Sequence, residues 1–236
     1  MNIAIIGYGK MGKTIEEILT ERGHNIAVKL NRKPLAEDLV GADAAIEFSH
    51  PEAAFDNIKT LLENKIPTVS GTTGWLSKLD EIRKINTDNE TAFLYGSNFS
   101  LGVNLFFELN KRLSELMKSY PQYKAEIEEI HHTQKLDAPS GTAITLAEQI
   151  IDNLGKTEWE LDGASSEDKL PVYARRIDNV PGTHTVSYHS EIDTIQIKHT
   201  AHTRKGFALG AVLAAEWIHG KQGLFSMKDV LGLNQS

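Results

Sequence analysis

The chain has no cysteine among its 236 residues. That excludes disulfides, thiolate zinc centres and every mechanism built on a thiol nucleophile. No apolar run approaches the roughly 20 residues a membrane helix needs, and the first residues lack the basic stretch of an export signal. A cytoplasmic protein with no membrane partner is therefore expected. Aromatic residues are sparse at 7%, and 25 Lys and Arg face 32 Asp and Glu, a net charge of −7. Such a chain is a poor match to a nucleic-acid backbone, so no nucleic-acid partner is expected. What is present is ordinary globular composition, 40% hydrophobic with 18 Gly, enough for one large domain or two small ones.

Residues 2–6 (NIAII) form a short β-rich run, followed at once by Gly7-Tyr8-Gly9-Lys10-Met11-Gly12. A helical pattern with Ile15, Ile18 and Leu19 comes next, then Gly23 as a stop and a second β-rich run at 25–30. A GxGxxG motif is weak alone, but strand, glycine turn, helix and strand together are the context of a dinucleotide site. Gly7 allows the tight turn, Gly9 admits a pyrophosphate to the backbone, and Gly12 lets helix and strand pack closely. The helix start adds free N–H groups and a positive dipole end. After the second strand, NAD sites usually carry an acid and NADP sites a cation. Here the residues are Asn31, Arg32 and Lys33. Asn31 suits a ribose hydroxyl and Arg32 a 2′-phosphate, which favours NADPH, with NADH also open.

The βα rhythm continues. Strands are expected at 42–48, 67–70 and 92–95, with a helix over 52–63. The second and third of these strands end in Gly71-Thr72-Thr73-Gly74 and in Gly96-Ser97-Asn98-Phe99-Ser100. Small polar and glycine residues at strand ends are what an open parallel sheet arranges around a ligand.

From about Val103 the pattern changes. A long helix is expected over 104–118, with Leu105, Phe106, Leu109, Leu113 and Leu116 as its apolar stripe. Residues 123–130 (YKAEIEEI), 185–188 and 193–200 alternate apolar with polar, as strands with one wet face do. A second α+β domain is read over 102–204. The buried helix at 207–218 returns to the first domain, residues 1–101, which 205–236 complete. The polar stretch 162–169 reads as a loop.

The densest chemistry runs from Glu129 to Thr142 (EIHHTQKLDAPSGT). It starts at a strand end and enters a helix whose apolar residues include Ile144, Leu146, Ala147 and Ile150. Asp137 and Ser140 are capping types, with Pro139 in the first-turn region, so Gly141 and Thr142 would present backbone N–H groups to a carboxylate. His131, His132 and Lys135 supply an acid titrating near neutrality and a fixed cation. An anionic substrate that must be protonated fits this loop. Metal binding is the competing use, since His184, His189, His199 and His202 lie further on. No HExxH is present, and the adjacent His131 and His132 would point to opposite faces of a strand, so no metal is expected.

GYGKMG at 7–12, GTTG at 71–74, NFSLGVN at 98–104, HHTQKLDAPSGTA at 131–143 and GLFSMKDVLGL at 223–233 resemble, in order and nearly end to end, the 4-hydroxy-tetrahydrodipicolinate reductase (dihydrodipicolinate reductase) family. The resemblance implies an α/β fold: an N-terminal Rossmann-type parallel-sheet domain carrying an inserted α+β mixed-sheet substrate domain, assembled as a homotetramer. It implies NADPH or NADH as cofactor, held by Gly7, Tyr8, Gly9, Lys10, Met11, Gly12, Gly71, Thr72, Thr73, Gly96, Ser97, Asn98 and Phe99, to which the residues at the end of the second strand add Asn31 and Arg32. It implies His131 as proton donor and Lys135 as the second catalytic residue. His132, Ser140, Gly141, Thr142 and Arg204 would contact a cyclic dicarboxylate, and closure about the inter-domain hinges would complete the site. The chain departs from the family pattern in having Asn31 where an acid is common, and in a short segment after the 141–154 helix.

Two other readings share the first domain: a dehydrogenase acting on an amino dicarboxylate, and a redox-responsive dinucleotide sensor without catalysis. Neither gives a reason for the block at 131–143. Thioester-forming semialdehyde dehydrogenases are excluded by the missing cysteine.

Overall fold

A computed structural model describes residues 1–203 and 205–233. The chain separates into two compact units, residues 1–101 with 205–236, and residues 102–204.

The first unit is built on a six-stranded parallel sheet. Its strands are β1 (Asn2–Ile6), β2 (Asn25–Leu30), β3 (Ala44–Glu47), β4 (Thr68–Ser70), β5 (Ala92–Tyr95) and, from the end of the chain, β11 (Gly223–Phe225), in the order β11-β5-β4-β3-β1-β2. Because β2 lies on one side of β1 and β3 on the other, the connections diverge at the end of β1. That divergence opens a crevice where doubly wound sheets bind their ligands. Successive residues of β1 are buried on opposite faces, as a sheet covered on both sides requires. Ile3 and Ile5 pack with Ile15 and Leu19 of α1 (Lys10–Glu21) and with Ala211 and Ala215 of α6 (Lys205–Ile218). The other face is covered by α2 (Pro51–Glu63) and α3 (Leu79–Asp88), which bring Ile58, Leu62 and Ile82 against Phe93. A one-turn helix, α7 (Met227–Val230), places Met227 in the first of these cores. The sequence pattern does not single out α3 or β11.

The second unit has a five-stranded mixed sheet in the order β10-β9-β6-β8-β7. It comprises β6 (Lys124–His131), β7 (Glu158–Leu161), β8 (Lys169–Arg176), β9 (Gly182–His189) and β10 (Thr194–Ala201). β6 pairs antiparallel with β9 and parallel with β8. Strands β7 and β8 are additions to the sequence reading, flanking the polar loop expected there. One face is covered by α4 (Leu101–Met117) and α5 (Gly141–Leu154), whose Phe106, Leu146 and Ile150 meet Ile127, Val172, Val186 and Tyr188.

The apolar stripe expected on α4 needs correction. Leu105, Leu109 and Leu116 are about half exposed, while Val103, Phe106, Asn110, Ser114 and Met117 are buried. Two polar positions replace leucines in the contact with α5 because they have partners there. Asn110 Nδ2 donates to Leu146 O at 3.1 Å and to Gln149 Oε1 at 2.8 Å, and Asn153 Nδ2 donates to Ser114 Oγ at 2.7 Å. A paired amide is tolerated in a core, and hydrophobicity alone does not reveal the pairing.

Candidate active site

In the first unit, β1 runs straight into the glycine turn. Gly7 has φ +93°, and a Cβ there would lie 2.0 Å from the Phe48 carbonyl oxygen. A Cβ on Gly12 would lie 2.4 Å from the Gly7 carbonyl oxygen. Both positions therefore need glycine for the close packing of turn, helix and neighbouring strand. Gly9, the N-cap of α1, has open space where its Cβ would be, and no side chain caps the helix. Bare backbone, open space and an uncapped helix start suit a pyrophosphate, so the turn fits the dinucleotide expected of it.

The rim of the crevice follows from the strand ends. Tyr8 N donates to Asn31 Oδ1 at 2.6 Å, tying the turn to the end of β2, and the Tyr8 hydroxyl donates to Glu16. That bond to Glu16 holds the Tyr8 phenol above its usual pKa. Arg32 is exposed and paired with Asp38, so its fork is already engaged in the protein itself. Lys10, Thr73 and Ser97 are exposed, whereas Met11, Gly71, Gly96 and Asn98 are partly buried. Thr72 is buried and Phe99 is a core residue 2% exposed, its ring 5.6 Å from that of Phe48. Phe99 thus serves packing, and what it leaves for a ligand is backbone.

Sequence reading assigns no role to Glu47, which is fully buried at the end of β3. It accepts hydrogen bonds from Ser49 N at 3.0 Å, the Ser49 hydroxyl, Ser70 Oγ at 2.7 Å and Thr72 Oγ1 at 2.9 Å. Its location in an otherwise apolar strand is the available signal. The carboxylate binds together the loops after β3 and β4, including the threonine expected near the nicotinamide.

In the second unit, alternate residues of β6 carry the buried face. Ala125 and Ile127 join the core, and Glu129 and His131 continue the same face at the strand's end. Glu129 is fully buried, and His131 is 8% exposed. The antiparallel register sets His184 of β9 opposite Glu129, and the parallel register sets Arg176 of β8 opposite His131. Glu129 Oε2 lies 3.5 Å from His131 Nδ1 and 3.6 Å from His184 Nε2. Both Glu129 oxygens accept from Ser140 N at 3.1 Å, and Arg176 reaches Oε1 at 3.4 Å. Arg176 also donates to the carbonyls of Lys135 at 3.2 Å and Asp137 at 2.6 Å, stapling the loop after β6 to β8. Glu129, His184 and Arg176 are functional candidates that the sequence reading misses. Glu129 stands within the motif, but the two others come from strands whose register a sequence does not show.

Ser140 is the N-cap of α5, its Oγ accepting from Ala143 N at 3.2 Å. The proline expected in the first turn lies outside it. Pro139 precedes the cap, joined to Ala138 by a cis bond, and Gly141 and Thr142 are the first helical residues. Their N–H groups meet no acceptor among the described residues. Lys135 Nζ is held by both oxygens of Asp137, at 2.8 and 2.7 Å, which keeps the Asp137 carboxyl below its usual range. His132 turns to a cleft of about 320 Å³ shared with Thr133, Gln134 and residues 178–181. That cleft is not lined by His131, Lys135, Gly141 or Thr142. Arg204 lies outside the described residues.

Burial pushes the His131 imidazole down to about 4, opposed by Glu129 and assisted by the charges of His184, Lys135 and Arg176. Burial also pushes the Glu129 carboxyl up, but His184, the Ser140 hydroxyl and amide, and His131 outweigh it and hold it at about 2. The pair is therefore a neutral imidazole beside an ionised carboxylate at neutral pH, and not the imidazolium expected near neutrality. Glu129, His131 and His184 also offer three buried metal-ligand atoms within 4.8 Å of one another. HExxH is absent and His131 and His132 are adjacent, but the histidine that joins His131 here is His184, from β9. Two features disfavour a cation here: Ser140 and Arg176 already occupy the Glu129 oxygens, and Arg176 and Lys135 are positive.

A parallel sheet whose glycine turn sits at the point of strand divergence is the cofactor half of a nicotinamide-dependent oxidoreductase, here combined with a second, mixed-sheet unit. Comparison with known proteins narrows that class. The family model described as dihydrodipicolinate reductase, N-terminus, matches residues 1–99, and that described as dihydrodipicolinate reductase, C-terminus, matches residues 102–231. The chain is 56% identical over 234 residues to the 4-hydroxy-tetrahydrodipicolinate reductase of Christiangramia forsetii, covering 98% of each. It is 35% identical over 199 residues to that of Methanoregula boonei, covering 82% of this chain and 76% of the relative. Its fold is similar, with a TM-score of 0.77 at 22% identity, to a dipicolinate-bound dihydrodipicolinate reductase from Paenisporosarcina sp. TG-14, covering 96% and 97% of the two chains. The chain belongs to the dihydrodipicolinate reductase family.

Proposed function

We propose that the chain reduces 4-hydroxy-tetrahydrodipicolinate to tetrahydrodipicolinate with NADPH or NADH, losing water, as a step of diaminopimelate and lysine biosynthesis. The observation that carries this reading is the loop that joins Lys135 and the buried His131 to the open amides of Gly141 and Thr142. The substrate is a cyclic imine with two carboxylates, so the acidic chain must concentrate positive potential locally. Gly141 N and Thr142 N, at the positive end of α5, receive one carboxylate. Lys135 exchanges its Asp137 partner for the substrate's charge. The hydroxyl at ring carbon 4 leaves with a proton from carbon 5 as water, which gives a conjugated imine. Gly7, Gly9 and Gly12 with the start of α1 would hold the cofactor, which when bound supplies a hydride to carbon 4 of that imine. His131 then gives a proton to the resulting enamine, general acid catalysis worth roughly 10²–10⁴-fold. The doubly negative substrate raises the imidazole from its depressed value so that it can carry that proton. A homotetramer acting in the cytoplasm is part of the same reading.

A coupled assay tests it. The synthase that makes the substrate is supplied in situ, and loss of NADPH absorbance is followed for wild type and for His131→Gln. Turnover in the wild type with most of kcat lost in the variant, cofactor binding being retained, supports the proposal. No turnover by the wild type, or normal turnover by the variant, defeats the activity or the proton-donor role respectively.

A further inference from the structure

Four titratable or charged groups act on His131, and one of them is negative. Lys135 approaches from the loop after β6, Arg176 from β8 and His184 from β9, and Glu129 of β6 alone is negative. The His131 Nδ1 atom is buried with no hydrogen-bond partner, 3.5 Å from Glu129 Oε2. The opposite ring nitrogen abuts residue 182, where a Cβ would come within 3.1 Å of Nε2. A side chain at 182 would therefore crowd Nε2, which glycine avoids.

From this arrangement we infer that Glu129 is a positioning residue for His131. Its carboxylate takes the Nδ1–H, fixes the ring's tautomer and rotation, and balances the imidazolium, so that Nε2 carries the transferable proton. The inference rests on His131 being the proton donor. The carboxylate is itself immobile, because Ser140 N bonds both its oxygens and Arg176 leans on Oε1. An anionic acceptor fixed behind an imidazole is the arrangement that orients a histidine and raises its basicity in other catalytic and metal-ligating settings. In the proton transfer, the Nε2–H bond breaks, its electrons stay on the ring, and the new C–H bond forms on the enamine carbon. Glu129 stays ionised throughout and touches no reacting atom.

The test uses Glu129→Gln beside His131→Gln in the intact enzyme. Glu129→Gln is expected to lose roughly 10–100-fold in kcat, with a much smaller change in KM for the dicarboxylate. The limb on which kcat falls with rising pH is expected to move to lower pH, because the neutral amide no longer supports the imidazolium. A purely structural role would leave that limb in place. NADPH affinity reports on the first unit, and it stays at the wild-type value if the variant is folded. A measurement on the wild type alone covers a variant that does not fold. Nitrogen-15 spectra at neutral pH should show His131 protonated at Nδ1 and bare at Nε2, and the reverse tautomer would overturn the inference. Wild-type kcat and an unmoved limb in Glu129→Gln, with His131→Gln inactive, would likewise overturn it while leaving the proposed function standing. Normal turnover by His131→Gln would remove the proton donor itself, and the inference with it.

Discussion

Arg32 and Asp38 are joined by two parallel hydrogen bonds, Nη1 to Oδ2 at 2.7 Å and Nη2 to Oδ1 at 2.8 Å. The same carboxylate accepts from Leu35 N at 2.8 Å, so the pair closes the turn after β2. Arg32, the residue that suits a 2′-phosphate, thus has a competing anion built in beside it. Asp38→Asn removes that competitor. The ratio of kcat/KM for NADPH to that for NADH is expected to rise, by roughly threefold or more. A ratio that stays constant or falls would show that Arg32 does not read the phosphate.

The glycine turn allows a sharper contrast. Gly7→Ala must place a Cβ 2.0 Å from a backbone oxygen at φ +93°, and a loss of at least ~2 kcal/mol of stability is expected. Gly9→Ala meets nothing within 4 Å, so its melting temperature should stay near that of the wild type. Its NADPH affinity should fall, because the added methyl stands where a pyrophosphate approaches the backbone. Melting curves and cofactor titrations of the two variants separate the effects. Equal destabilisation, or unchanged NADPH affinity in Gly9→Ala, contradicts this account.

His131 and Glu129 each bind a proton less readily in the folded protein than in the unfolded chain. As pH falls, the unfolded chain is therefore protonated first, and stability falls with it. For His131 the loss runs from about 6.5 down to about 4, and for Glu129 from about 4.5 down to about 2. Urea midpoints measured between pH 7 and pH 4 should decline, and His131→Gln should flatten the upper part of that decline. Parallel slopes for the two proteins would show that His131 is not the group responsible.

On α4 the exposed leucines and the buried phenylalanine make opposite predictions. Leu109 is 53% exposed and Phe106 is 5% exposed. Leu109→Glu is expected to change the stability of the isolated chain by about 0.5 kcal/mol or less, and Phe106→Ala to lower it by ~3–5 kcal/mol. Urea denaturation reads both. A large loss for Leu109→Glu in the isolated chain would show that Leu109 is buried there, contrary to its exposure on α4.

Much of the architecture is legible because local patterns repeat. Residues 3–6 are apolar on both faces and open into a glycine turn, the combination a buried parallel strand and phosphate loop require. Residues 124–131 alternate, and the alternation itself places Glu129 and His131 on the buried side with Ala125 and Ile127. The capping chemistry of Ser140 is readable because an N-cap is a contact between residues three apart.

The chain's own order of residues thus determined the dinucleotide turn, the histidine–lysine loop and the open helix start behind it, since each is written within about fifteen consecutive residues. Tertiary structure alone decided which groups surround them. His184 and Arg176 reach Glu129 through strand register, and Asn110 displaces leucines from a helix contact because acceptors on α5 take both hydrogens of its amide nitrogen. The ionisation of His131 was decided in the same way. Its burial and its neighbours come from three strands and a loop, and a pKa depends on what is near in space, however far apart along the chain.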